Sequence, residues 1–239
     1  MKITFHGAAR AVTGSKHLIT LDNNTKILLD CGMFQGMGEV TEKLNGYFGF
    51  KPSDITYVVL SHAHIDHCGL LPRLVAEGFE GNIYATPPTM DLARILLMDS
   101  AKIQMQDAEF ENESKGENEV PAEALYTEDD VVKTMSLFKI VEYNEEFEID
   151  SNIKIYLTDA GHIIGSAAVH LTITEEGKET KITFSGDVGR YGDLLLKSPQ
   201  TFAQADYLIM ESTYGDSLHK ELEPIEEMLL EIINHTCNI

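Results

Sequence analysis

Residues 61–67 read Ser61-His62-Ala63-His64-Ile65-Asp66-His67, and they directly follow the apolar run 55–60. A near-continuous apolar run of this length is typical of a strand that is buried on both faces of a sheet. Imidazole nitrogens and carboxylate oxygens are good ligands for zinc and similar divalent ions. On a tight loop, ligands at this spacing can point at two neighbouring positions, which suits a site for two metal ions. The alternative is a chance polar loop, and the density of histidines argues against it.

Further candidate ligands follow other predicted strands. His162, Asp187 and Glu211 each come just after such a strand, and Asp30 ends the segment 27–30. Taken singly, each is more often an ordinary turn residue or a buried hydrogen-bonding acid. Active sites of layered α/β proteins collect at strand ends, so the shared position makes these residues candidates for one site. Asp30 is a candidate for orienting a ligating histidine through a hydrogen bond.

The hydrophobic pattern predicts an α/β fold built from many short strands. Strands are predicted at residues 2–6, 17–21, 26–29, 55–60, 82–85, 139–142, 146–149, 153–158, 167–174, 180–185 and 207–210. Helices are predicted at residues 70–77, from Pro87 towards Glu109, and at 222–233, and residues 111–121 are predicted to form an exposed acidic loop.

The composition is that of an ordinary globular protein with an unusual charge. Hydrophobic residues make up 43% and charged residues 24% of the 239 residues, which excludes a fully disordered chain. The net charge is −21, opposite in sign to the basic footprint of a free-standing nucleic-acid binder. Residues 99–150 alone carry 16 acidic residues and 4 lysines. We interpret most of these acids as solvated helix and loop faces.

The cysteines and the apolar runs bear on the compartment. Cys31, Cys68 and Cys237 are few and widely spaced, which does not suit a disulfide framework and fits a reducing cytoplasm. The first residues lack the apolar core of a signal peptide. No apolar run approaches the roughly 18 residues of a membrane-spanning helix. We therefore expect a cytoplasmic protein without a membrane segment, in which Cys31 and Cys68 serve in packing rather than as ligands.

The stretch 61–67 resembles the His-x-His-x-Asp-His signature of hydrolases with the metallo-β-lactamase fold, and His162 and Asp187 follow it in the expected order. Other segments resemble the β-CASP branch of that superfamily, which holds RNA-processing nucleases. These segments are Val12-Thr13-Gly14-Ser15, Leu29-Asp30-Cys31-Gly32, Phe34-Gln35-Gly36, Thr158-Asp159-Ala160-Gly161-His162, Gly165-Ser166-Ala167, Phe184-Ser185-Gly186-Asp187, Gly189-Arg190 and Glu211-Ser212-Thr213-Tyr214-Gly215. The resemblance covers nearly the whole chain and implies a four-layer αββα sandwich.

The resemblance also implies a cofactor, two divalent ions, with zinc expected first and manganese or iron acceptable to the same ligands. The implied ligands are His62, His64 and His162 for the first ion, Asp66 and His67 for the second, and Asp187 for both. Asp30 is implied as the acid behind a ligand. Asp66 and Glu211 are implied as catalytic residues, and Glu211 would pair with a later histidine to protonate the leaving oxygen. A hydroxide activated by the ions would attack the phosphorus of RNA.

The domain organisation follows from the same resemblance. Residues 1–215 are expected to form the hydrolase domain, with 99–138 as a helical excursion, and residues 216–239 a helix that leads towards a β-CASP domain. That domain and the segment that completes the hydrolase fold are absent from the sequence. We therefore expect the chain to be a piece of a longer protein, incomplete at its carboxyl end, rather than a natural short form.

Two other functions are left open. The same metal site could cleave a thioester, a lactone or another small ester, although the β-CASP-like segments favour RNA. The chain could also be a non-catalytic metal-binding scaffold for a partner nuclease. The oligomeric state is not indicated by the sequence.

Overall fold

Two β-sheets pack face to face in the computed structural model, which describes residues 1–38, 40–116, 119–217 and 225–237. The first sheet has the strand order β1-β2-β3-β4-β5-β6. Its strands are β1 (Lys2–Phe5), β2 (His17–Thr20), β3 (Lys26–Leu29), β4 (Tyr57–Val59), β5 (Asn82–Ala85) and β6 (Phe138–Ile140). The strands β1 to β3 form an antiparallel meander, and β3 to β6 run parallel.

The second sheet has the order β11-β10-β9-β8-β7. Its strands are β7 (Glu146–Asp150), β8 (Ile153–Asp159), β9 (Ala167–Glu175), β10 (Lys178–Phe184) and β11 (Tyr207–Ile209). All pairs are antiparallel except β10 and β11, which run parallel. The carboxyl ends of β10 and β11 therefore lie side by side.

The helices α3, α4 and α5 cover the outer face of the first sheet. The helices of the described residues are α1 (Val40–Asn45), α2 (Ile65–Cys68), α3 (Leu71–Ala76), α4 (Pro87–Ser114), α5 (Glu128–Ser136) and α6 (Ile225–Cys237). The threonine before α4 and the threonine before α5 accept a hydrogen bond from a backbone N–H of the first helical turn, which satisfies donors that the helix leaves free.

Side-chain alternation along the strands produces two cores. Successive residues of a strand point to opposite faces of the sheet, so Leu28 and Val58 pack against the helices. Ile27 and Val59 pack between the two sheets instead. Burying a side chain of this size stabilises the fold by about 1.5–3 kcal/mol. The core between the sheets joins residues of both sheets and so holds the two layers together.

The predicted α/β sandwich is confirmed, and each predicted strand is present with bounds that shift by at most a few residues. The helix α4 continues to Ser114, so residues 111–114 of the predicted loop are helical. The first residue of this segment that disfavours a helix is Gly116, which follows the end of α4. The two helices that overlap the predicted excursion 99–138 are α4, which begins upstream of it at Pro87, and α5, which ends at Ser136. Of the predicted terminal helix, residues 222–224 lie outside the described residues, as do 218–221, 238 and 239 of the expected linking segment.

Among the residues described, no helix combines the length and the apolar composition needed to cross a membrane. The assignment of domains stays a prediction.

Candidate metal centre

The stretch 61–67 is half extended chain and half helix. His62 and His64 lie in the extended part, whereas Asp66 and His67 lie in α2. The carbonyl oxygen of His64 accepts hydrogen bonds from the backbone N–H groups of His67 and Cys68, both at 2.9 Å. The prediction of a loop was therefore wrong for Asp66 and His67. His67 nevertheless stays close to the pair before it, because its ring centroid lies 4.0 Å from that of His62.

The helix α2 is fixed to the first sheet through its backbone. Its carbonyl groups at Asp66 and His67 accept hydrogen bonds of 2.8 Å from the backbone N–H groups of Ser15 and Cys31. A Cβ atom on Gly32 would lie 1.6 Å from the carbonyl oxygen of Asp66. Glycine is therefore required at position 32, because any side chain would push α2 out of place.

Three imidazole rings converge at the edge of the sandwich. The Nε2 atoms of His62 and His162 each lie 3.1 Å from Nδ1 of His64. The Oδ2 atom of Asp187 lies 3.7 Å from Nε2 of His62 and 3.4 Å from Nε2 of His162. Ligand atoms of these residues all lie within 4.8 Å of one another, so this group can hold a metal ion.

The second carboxylate oxygen of Asp187 faces a different neighbour. Its Oδ1 atom lies 3.3 Å from Nε2 of His67, and the same nitrogen lies 3.8 Å from Oδ2 of Asp66. Asp187 thus stands between the three-histidine group and the pair formed by Asp66 and His67. All six residues predicted as ligands lie in this region, and their assignment as ligands stays a prediction.

Asp30 lies beneath the site and is fully buried. Its carboxylate accepts hydrogen bonds from Nδ1 of His67 at 2.7 Å, from the hydroxyl of Ser15 at 3.1 Å, and from both the backbone N–H and the hydroxyl of Ser61 at 2.8 and 2.9 Å. Four donors offset the cost of burying the charge. The two serines were not predicted as part of the site, because no spacing rule connects them to an aspartate so far along the chain.

The pKa values of the histidines at the site depend on their burial and on the carboxylates of Asp30 and Asp187. Burial, assisted by repulsion from the neighbouring histidines, holds the pKa of His62 well below its ordinary value, and burial also lowers the pKa of His64. Burial opposes the charge on His67 too, but attraction by Asp30 and Asp187 raises its pKa to about 10. Burial acts to raise the pKa of Asp187, and the hydrogen bond with His67 lowers it overall. Neutral His62 and His64 keep lone pairs that can bind a metal ion.

The loop that carries His162 is held by the first turn of α4. The carbonyl oxygen of Gly165 accepts hydrogen bonds from the hydroxyl groups of Thr86 at 2.7 Å and Thr89 at 2.8 Å. The hydroxyl of Ser166 accepts the backbone N–H of His162 at 3.0 Å. Neither threonine could be predicted as part of the site, because the only local signal is that Thr86 precedes a helix. Through them, a helix on the first sheet positions a histidine of the second sheet.

Glu211 lies outside the three-histidine group. One of its carboxylate oxygens accepts the backbone N–H of Val188 at 2.6 Å. It also lines an open cavity of about 520 Å³ together with His67, Asp187, Arg10 and His17. The Nδ1 atom of His17 is buried and has no hydrogen-bond partner among the described residues.

The sequence of the chain matches a family of metal-dependent hydrolases and several curated proteins. Residues 12–228 match the family model described as the metallo-beta-lactamase superfamily. The chain is 35% identical over 238 residues to Ribonuclease TTHA0252 of Thermus thermophilus, a match that covers 100% of this chain and 49% of that protein.

Two similar proteins of Methanocaldococcus jannaschii match over comparable lengths. Transcription termination factor FttA is 32% identical over 244 residues, covering 100% of this chain and 36% of that protein. An RNase J-like protein is 30% identical over 239 residues, covering 98% of this chain and 48% of that protein. The chain therefore spans about half or less of the length of these relatives. With the match over residues 12–228, the chain belongs to the metallo-beta-lactamase superfamily.

Proposed function

We propose that this chain is the metal-binding part of a ribonuclease of the β-CASP branch, which hydrolyses phosphodiester bonds of RNA with two divalent ions, most simply zinc. The observation that carries the proposal is the convergence of His62, His64, His162 and Asp187. The names of the relatives, Ribonuclease TTHA0252 and RNase J-like protein, support RNA as the substrate class.

The distances at the three-histidine group suit a tetrahedral ion. Bonds of about 2.0–2.1 Å at tetrahedral angles place neighbouring ligand atoms roughly 3.3 Å apart. The nitrogen separations of 3.1 Å and the distances of 3.4 and 3.7 Å from Asp187 to His162 and His62 lie on either side of that value. The donor set of three imidazoles and a carboxylate is also one that zinc accepts. His62, His64, His162 and Asp187 would therefore hold the first ion.

A second ion would be held by Asp66, His67 and the other oxygen of Asp187. The contacts of 3.3 and 3.8 Å from Nε2 of His67 support this assignment. When bound, the two ions would supply a water molecule activated as a nucleophile and positive charge against the phosphoryl oxygens.

The residues of the chain prepare the site for that chemistry. Asp30 accepts the Nδ1 proton of His67, which directs Nε2 of the ring towards Asp187 and Asp66. The side chain of Asp66 is one-fifth exposed, so its carboxylate can contact both a metal ion and solvent. Arg10, at the wall of the same cavity, is a basic group that could meet a phosphate in an otherwise acidic chain.

The test is cleavage of an end-labelled single-stranded RNA by the chain with added zinc or manganese. Cleavage should be lost in Asp66→Ala and His67→Ala and retained in Glu109→Ala, which changes an exposed acid on α4. A thioester substrate is run in parallel. Turnover of the thioester in preference to RNA would replace the proposal with a small-ester hydrolase. Stoichiometric metal binding without turnover of either substrate would favour a scaffold that depends on further chain or on a partner.

A further inference from the structure

Asp187 and Glu211 leave neighbouring parallel strands at the same edge of the second sheet. The strands β10 and β11 are in register at Phe184 and Ile209, so the chain passes through the Asp187 turn directly beside Glu211. The carboxylate of Glu211 therefore lies beside the turn, and Glu211 and Asp187 line the same open cavity.

Two hydrogen bonds from Glu211 hold the turn on either side of Asp187. The carboxylate accepts the backbone N–H of Val188 at 2.6 Å. The backbone N–H of Glu211 donates to the hydroxyl of Ser185, which is fully buried, at 3.1 Å. A third bond, from the backbone N–H of Gly189 to the carbonyl oxygen of Ala160 at 2.8 Å, fixes the far end.

The residue before Asp187 makes these bonds necessary. Gly186 has a φ of 54°, in the left-handed region where glycine is conformationally free. A carboxylate that must place one oxygen 3.4 Å from His162 and the other 3.3 Å from His67 cannot tolerate a turn that moves by an ångström. Without the acceptor on Glu211, the N–H of Val188 would lose its only protein partner among the described residues.

We propose that Glu211 is a positioning residue, which holds the carboxylate of Asp187 at the metal centre by bonding the backbone of the next residue. The inference rests on the proposed function in taking Asp187 as a metal ligand. The role needs only a hydrogen-bond acceptor, so neither the charge nor a proton of the Glu211 carboxyl group takes part in it.

The experiment is a titration of the metal-free chain with Zn²⁺ and with Co²⁺, whose absorption spectrum reports the ligand geometry. The variants are Glu211→Ala, which removes the acceptor, and Glu211→Gln, which keeps an acceptor oxygen without the charge. Asp187→Ala is the reference for a lost ligand, and Glu109→Ala is the control for loss of an exposed acid. We expect metal affinity to fall by about 10–100-fold in Glu211→Ala, as for loss of other contacts behind a ligand, and to be restored in Glu211→Gln.

Wild-type affinity and an unchanged Co²⁺ spectrum in Glu211→Ala would overturn the inference. So would a Glu211→Gln variant that binds as weakly as Glu211→Ala, because the charge would then be what matters. Thermal melts of the metal-free variants show whether each one folds, and Glu211→Met, which also removes the acceptor but keeps the length of the side chain, decides the question if the Ala variant does not fold. RNA cleavage is not read in this experiment, so failure of the positioning role and failure of the ribonuclease proposal are separate results.

Discussion

The Oδ2 atom of Asp30 lies 2.7 Å from Nδ1 of His67, and neither side chain is more than slightly exposed. This contact decides which nitrogen of the ring faces the site, because a proton held at Nδ1 leaves Nε2 to meet Asp187 and Asp66. A hydrogen bond of this kind also makes a ligating histidine a better donor to a metal ion.

Replacing Asp30 with asparagine should weaken metal binding and leave the backbone conformation unchanged. Asn tolerates the φ of 57° at this position, but its NH₂ group cannot accept the bonds from His67 and the serines. We expect a loss of about 10–100-fold in metal affinity, measured by calorimetric titration with Zn²⁺. Asp30→Ala should also lower stability by about 3–5 kcal/mol, because several buried donors lose their acceptor. Equal metal affinity in Asp30→Asn and the wild type would contradict the assigned role.

His64 should be essential for the first ion. Its Nδ1 atom is the shared neighbour of His62 and His162, at 3.1 Å from each, so its loss opens the centre of the group. In His64→Ala we expect a loss of metal affinity greater than about 100-fold, beyond what the loss of an outer contact produces. Metal content after dialysis measures the effect. His235→Ala, on the exposed face of α6, is the matched control, and unchanged metal content in His64→Ala would mean that the ligand set is wrong.

Gly189 should not accept even a methyl group. A Cβ atom there would lie 1.7 Å from the carbonyl oxygen of Gly161, so the loops carrying Asp187 and His162 would have to separate. We expect Gly189→Ala to cost at least about 1–3 kcal/mol, the usual range for overpacking, and to weaken metal binding. Gly116→Ala, where a Cβ meets nothing within 4 Å, should leave the urea unfolding midpoint nearly unchanged. Equal midpoints for the two variants would show that the loops move apart freely.

Lys16 should make stability rise with pH in the alkaline range. Its side chain is fully buried, and its ammonium group donates to the carbonyl oxygen of Gly32 at 2.6 Å. Burial lowers its pKa from the ordinary 10.5 to about 8. Between pH 8 and pH 10.5, Lys16 is protonated in the unfolded chain and neutral in the folded protein. The free energy of unfolding therefore increases with pH by up to about 1.4 kcal/mol per pH unit.

The measurement is urea unfolding of the wild type and of Lys16→Met between pH 7 and pH 10.5. This range covers the pKa of Lys16 in the folded protein and its ordinary value. The Met variant keeps the apolar stem and has no group to titrate, so subtracting its curve removes the contribution of other residues. Parallel curves for the two proteins would rule out the depressed pKa.

The strands could be predicted because their signal is local. The near-continuous apolar runs 27–29 and 55–60 are visible in a short window of the sequence, whereas the core that each residue faces is seen only in the fold. The helix α2 could not be predicted in this way, because four residues are too few to display a helical period. Its backbone bonds come from Ser15 and Cys31, which are distant in sequence.

The candidate site divides along the same line. His62, His64, Asp66 and His67 stand out because they are close together in the sequence. His162, Asp187 and Asp30 could be nominated from their positions after strands. The contact between Glu211 and Val188 could not be nominated, because it depends on the parallel pairing of β10 with β11 across an irregular segment. The resemblance to a family suggested a chemical role for Glu211, and only the fold provides the backbone contact.

The candidate metal centre is built from both halves of the sandwich. His64 belongs to the first sheet and His162 to the second, and their ring nitrogens lie 3.1 Å apart although the residues are separated by 98 positions. An ion bound between them would cross-link the two sheets. Its binding free energy would add to the free energy of unfolding, because the unfolded chain does not bring these ligands together. At a free concentration a hundred times the dissociation constant, the gain is about 2.7 kcal/mol. The heat resistance of this protein would then depend on the metal supply of its surroundings as well as on its sequence.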